Sequence, residues 1–83
     1  MIRYQLSPRA YLTLKKACKS ECLKKVIHDI VLDDDTFCVK TDKIDELMDA
    51  LDTEMWVKGT NEAYETIPYG HEVAVLYDEL LYA

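Results

Sequence analysis

The chain has 83 residues, of which 49% are apolar, only two are Gly and two are Pro, and its net charge is −6. That apolar content excludes a disordered tail or linker, and the length implies one compact domain over residues 1–83 that buries roughly two thirds of its unfolded surface. The charge is sorted along the chain: residues 1–32 carry seven basic and two acidic side chains, residues 33–83 fourteen acidic and three basic ones.

Such sorting bears on partners, because a field of one sign steers molecules of the other. With a pI near 4.7, binding of the whole chain to nucleic-acid backbone is disfavoured. The first eight residues hold no signal-like apolar run, and no stretch approaches the roughly 20 apolar residues that span a bilayer. Three cysteines, Cys18, Cys22 and Cys38, suit a reducing compartment better than a disulfide framework. The expectation is a cytoplasmic protein with no membrane contact.

Ser7-Pro8 is a helix start, since Ser caps an orphan N–H and Pro is pre-set for the first helical position. Behind it Ala10, Tyr11, Leu14, Ala17 and Cys18 share one helical face, with Arg9, Thr13, Lys16 and Lys19 pointing away, and predict a helix over about 8–19. Cys22, Leu23, Val26, Ile27, Ile30 and Val31 recur at three and four residues, which predicts a second helix over about 21–31, started by Ser20. The same residues are β-branched enough to favour a strand over 25–32 instead.

Asp33-Asp34-Asp35 reads as a turn. Thr36–Lys40 reads as a strand with Phe37 and Val39 on one side. Thr41 or Asp42 then caps a helix over about 42–53, whose apolar positions Ile44, Leu47, Met48, Leu51 and Met55 keep helical spacing. A short strand over about 55–58 ends at Gly59. Asn61–Thr66 allows one helical turn, Pro68-Tyr69-Gly70 a chain turn, and Val73, Leu76, Tyr77 and Leu80 a last helix over about 71–82. The fold class is therefore a small α+β domain, mostly helical, with two or three short strands.

The side chains offer few chemical constellations. Cys18, Cys22, Cys38, His28 and His71 are soft enough for zinc, but their spacing is not that of a zinc motif, and buried free Cys behaves as a small hydrophobe. Asp33 and Asp35 suggest calcium, yet Phe37 and Cys38 stand where an EF-hand loop needs an oxygen ligand and a Gly. No Cys or Ser has a sequence-fixed His and orienting acid. The expectation is no metal, no cofactor and no enzymatic activity.

The strongest candidate site is a row of carboxylates. Asp42, Asp45, Asp49 and Asp52 line one face of the middle helix, flanked by Glu46 and followed by Glu54. The 5.4 Å rise per turn gives them a spacing of the same order as backbone phosphates. Only Lys43 balances them, whereas a merely solvated helix gains from interspersed Lys at four-residue spacing. Of the aromatics in the acidic half, Tyr64, Tyr69, Tyr77 and Tyr82, the turn residue Tyr69 and the terminal Tyr82 are the best exposed anchors.

These features predict a non-enzymatic acidic protein that regulates another protein with a Lys/Arg-rich surface. Its most concrete form is a small inhibitor that occupies a basic nucleic-acid-binding groove, a DNA mimic. In size and charge the chain is similar to small acidic proteins of phages and mobile elements, including anti-CRISPR and anti-restriction inhibitors, although no residue motif carries that likeness. The alternatives are a nucleic-acid-binding regulator that uses the basic N-terminal helices, and a structural subunit of a homo-oligomer. The first would have to work against the acidic half, so no direct nucleic-acid binding is expected; a homodimer is left open.

Overall fold

The computed structural model describes residues 2–63 and 65–82. It is an α+β domain with three helices and a three-stranded antiparallel sheet. The strands are β1 (Ile2–Gln5), β2 (Ile30–Asp33) and β3 (Cys38–Thr41), in the order β1-β3-β2. The helices are α1 (Pro8–Ala17), α2 (Ile44–Lys58) and α3 (Pro68–Leu81).

Helix α1 begins as its sequence dictates. The Ser7 hydroxyl accepts from Ala10 N–H (3.2 Å) and donates to Glu79 of α3 (2.8 Å), while Ser7 N–H reaches the same carboxylate at 2.8 Å. One cap thus also pins α1 to α3. Thr13, expected to point outward, is buried, and its hydroxyl returns to the Arg9 carbonyl at 3.1 Å.

The predicted helix over 21–31 does not form. Two single 3₁₀ turns, Glu21–Leu23 and Ile27–Asp29, lead straight into β2. Ser20 caps the first of them, accepting from Cys22 N–H at 3.4 Å. The β-branched residues Ile30 and Val31 instead pair with Thr41 and Lys40 of β3, and a ladder outweighs weak helical periodicity. No second helix follows α1 before β2, so the basic segment holds no helix-turn-helix.

Strand β3 starts at Cys38, two residues later than expected, because Phe37 closes the preceding turn with φ 56°. Phe37 packs edge-on against the Tyr11 ring, with centroids 5.6 Å apart. The tip of that turn is fastened by Asp34, which accepts from the Tyr11 hydroxyl and from Lys15 Nζ at 3.1 Å. Strand β1, which the sequence reading left out, adds to the other edge of β3 with Tyr4 opposite Val39.

No strand occurs over 55–58. Helix α2 runs on through Lys58, since Met55 continues its apolar spacing and Gly59 closes it, with Gly59 N–H bonded to the Met55 carbonyl at 3.0 Å. Neither Thr41 nor Asp42 is its N-cap; that position is Lys43, whose N–H donates to the Thr41 hydroxyl at 3.0 Å. Between α2 and α3, Asn61 forms a turn through its Oδ1, and Thr60 bridges Thr66, in place of the expected helical turn. Tyr64 lies outside the described residues. Pro68-Tyr69-Gly70 is the first turn of α3, with Pro in the position it favours.

One core joins these pieces: Leu6, Tyr11, Leu14, Leu23, Val39, Leu47, Leu51, Val73 and Leu76 are among its buried members. Helix α3 packs on both α1 and α2. Its start meets the end of α2 backbone to backbone. A Cβ on Gly59 would lie 2.6 Å from Gly70 Cα, and a Cβ on Gly70 would overlap the Gly59 carbonyl.

Two outcomes follow from this packing. Helix propensity alone makes Gly70→Ala stabilising by about 1 kcal/mol, but the missing space reverses the sign. The expected result is a loss of about 1–3 kcal/mol, as for other overpacked contacts, measured by urea unfolding. Asp34 is held below the ordinary carboxylate range, first by the Tyr11 hydroxyl and then by Lys15. A depressed folded pKa gives stability that is present above the unfolded value, about 3.9, and lost as pH falls through the folded one. Asp34→Asn should therefore lower the urea midpoint at pH 7 and leave a shallower loss of stability as pH falls below about 4.

Candidate functional site

Two charged surfaces lie on opposite sides of α2, and helical geometry places them there. Asp45, Asp49, Asp52 and Trp56 are spaced at four, three and four residues, so they stack on one face. Leu47, Leu51, Glu54 and Lys58 have the same spacing on the side that carries the core.

On the outer face all three carboxylates are exposed. Among the described residues none of Asp45, Asp49 and Asp52 makes a salt bridge; the nearest ion pair is Lys43 with Glu46, at 4.0 Å. Trp56 closes the row and is 63% exposed. An indole left this open by an 83-residue domain is unusual, because Trp is highly buried on average. Val57 beside it is also exposed. Asp42 precedes the helix and Glu46 flanks the row, both exposed.

Glu54 does not belong to this row. It is 1% exposed, and its carboxylate accepts from the Ser20 hydroxyl at 3.0 Å and the Tyr69 hydroxyl at 3.3 Å. Its position seven residues after Leu47 and three after Leu51 turns it inward. Tyr69 is corrected with it: this is no exposed turn residue, but a half-buried one in the first turn of α3. Burial, then the Glu54 charge, pushes its phenol up to about 12. Tyr82 is 83% exposed at the end of α3, on a different element from the row. Tyr77 packs against the core.

Over Glu54 lies a concavity of about 250 Å³, lined by Lys16, Lys19, Ser20, Glu54, Lys58 and Tyr69. A larger one, about 580 Å³, is lined by Glu21 and Lys25 of the segment after α1 and by Glu46 and Asp49 of α2. A third, about 310 Å³ and mostly apolar, lies between α1 and α3, with Arg9, His71 and Glu72 at its edges.

The thiols are separate. Cys38 sits on the outer face of the sheet, covered by Arg3 and Gln5; it accepts from Arg3 Nε and donates to Gln5 Oε1, both at 3.0 Å. Burial opposes its ionisation, but hydrogen bonds from Thr36 and Arg3 and the Arg3 charge prevail and bring its pKa down. Burial pushes the Cys18 thiol up. Among the described residues no three His, Cys, Asp or Glu side chains gather around a point where a metal ion would bind. Among the described residues no helix is long and apolar enough to cross a membrane.

Trp56 was the functional candidate that sequence reasoning missed. Its signal was its register, eleven residues after Asp45, which assigning 55–58 to a strand concealed. Glu54 supplies the sharper test of placement. Glu54→Ala leaves the Ser20 and Tyr69 hydroxyls without their acceptor and should cost about 1–3 kcal/mol, whereas Glu54→Gln, which keeps an acceptor, should cost less. Urea unfolding of the two variants checks this; equal, negligible effects would place Glu54 at the surface.

Compared with protein-family models, with curated proteins and with solved structures, the chain matches none.

Proposed function

We propose that this chain is a non-catalytic protein that binds and regulates another protein, using the outer face of α2. The observation that carries the reading is the exposed row Asp45-Asp49-Asp52, which makes no salt bridge among the described residues, closed by the exposed indole of Trp56. Like charges repeated on one helix face cost stability. A wet face has no need of that cost, whereas a surface that steers and orients a basic partner does. Trp supplies what the carboxylates lack: exposed charge gives on-rate and register, while a desolvated aromatic anchor gives affinity.

The partner surface is accordingly Lys/Arg-rich, with an apolar recess at one end for the indole. A basic nucleic-acid-binding groove meets that description, and a small inhibitor that occupies it is the most concrete form of the function. Asp42 and Glu46 extend the contact at the N-terminal end of the helix. Tyr82, on another element, is at most a peripheral contact.

The test starts from affinity capture with the intact protein in a lysate of its source, followed by binding kinetics with the captured partner. Association should slow steeply as salt rises, because steering is screened beyond about 8 Å at physiological ionic strength. Replacing Asp45, Asp49 and Asp52 by Asn should lower the association rate with circular dichroism unchanged. Trp56→Ala should act mainly on dissociation and cost about 2 kcal/mol or more, roughly thirtyfold in Kd. Salt-indifferent association, or unchanged binding by both variants, would leave this face merely solvated.

A further inference from the structure

The inner side of α2 carries a second feature that the α2 row does not use. Lys16 and Lys19, from the end of α1 and the residues after it, converge with Lys58, the last residue of α2, on the concavity of about 250 Å³. Lys15, Lys24 and Lys43 each have a carboxylate within 4.0 Å. Among the described residues Lys16, Lys19 and Lys58 have none. The acid nearest to hand, Glu54, spends its two oxygens on Ser20 and Tyr69 instead.

Cations are favourable at helix C-termini, which is one reason Lys stands at the ends of α1 and α2. That does not explain why three of them, from α1, the turn after it and α2, border one recess. Like charges brought together from separate elements repel unless an anion lies between them. Three ammonium groups against one carboxylate leave two positive charges, which a doubly charged oxyanion neutralises. The geometry points to a binding site for a single phosphoryl group, held by Lys16, Lys19 and Lys58.

Size and chemistry narrow the ligand. The concavity is small and open to solvent, so it offers contacts to one compact group while the rest of a ligand stays outside. Lysines bind phosphate as point charges rather than by planar, two-pronged recognition. They also set no demand on what the phosphoryl group is attached to. The site is independent of the Asp45-Asp49-Asp52 row, so either reading can fail without the other.

Amide chemical-shift titration of the intact, isotope-labelled protein tests the assignment. The probes are inorganic phosphate, methyl phosphate and acetate, each at pH 7.5 and constant ionic strength. Both phosphates should give saturable shifts confined to residues near 16–20, 54–59 and 69, and acetate should not. Tighter binding of methyl phosphate would assign an ester as the natural ligand, and tighter binding of inorganic phosphate the free anion. Lys16→Gln, Lys19→Gln and Lys58→Gln should each weaken binding roughly two- to fivefold, the range of an exposed ion pair, and Lys→Arg at the same positions should restore it. Shifts that do not saturate, that spread evenly over all basic residues, or that persist in the triple Gln variant with its circular dichroism unchanged would overturn the site.

Discussion

The contact on which the rest depends is backbone against backbone: Gly59, at the end of α2, against Gly70, in the first turn of α3. These are the only two glycines in the chain. Neither adopts a positive φ, so what each supplies is the absence of a side chain. The contact is reinforced by Ile67 N–H donating to the Gly59 carbonyl at 2.9 Å. Because the two helices meet there, Tyr69, one residue before Gly70, lies within hydrogen-bond reach of Glu54, five residues before Gly59. The recess over Glu54 exists only while that junction is closed. Any residue larger than Gly would push the helices apart and open the buried carboxylate to water.

Glu54 shows why the junction must be tight. A buried charge is tolerated only where hydrogen bonds replace its hydration. Two hydroxyls, from Ser20 on one side and Tyr69 on the other, perform that task and tie three segments together. The lysines around the rim add a favourable field without direct contact. The same arrangement that makes the carboxylate tolerable therefore also concentrates positive charge at the surface above it.

Legibility in the sequence followed the locality of the signal. Ser7-Pro8 and the spacing of Ala10, Tyr11 and Leu14 are local, and α1 starts where they place it. The core face of α2 was equally readable from Leu47 and Leu51. The segment 21–33 was not, because its outcome is decided by β3, a partner that its own residues do not encode; Ile30 and Val31 satisfy both a helical and a strand pattern. Strand β1 failed for the same reason, being short, mostly exposed and defined by pairing alone. In the candidate site, Asp45, Asp49 and Asp52 fall on one face as their spacing requires. Glu54 and Trp56 were misplaced together, since ending the helix at 53 removed the register that sends one inward and the other out.

That register also resolves an apparent conflict in the charge. A net of −6 argues against any anion site, yet net charge governs only the field far from the molecule. Close to the surface, the nearest groups dominate once salt screens the rest, over about 8 Å at physiological ionic strength. The acidic row and the Lys16–Lys19–Lys58 recess stand on opposite sides of one α-helix, whose diameter with side chains is about 10–12 Å. Their separation thus exceeds the screening length. Two surfaces of opposite sign thus fit within a domain only 39 Å in its longest dimension.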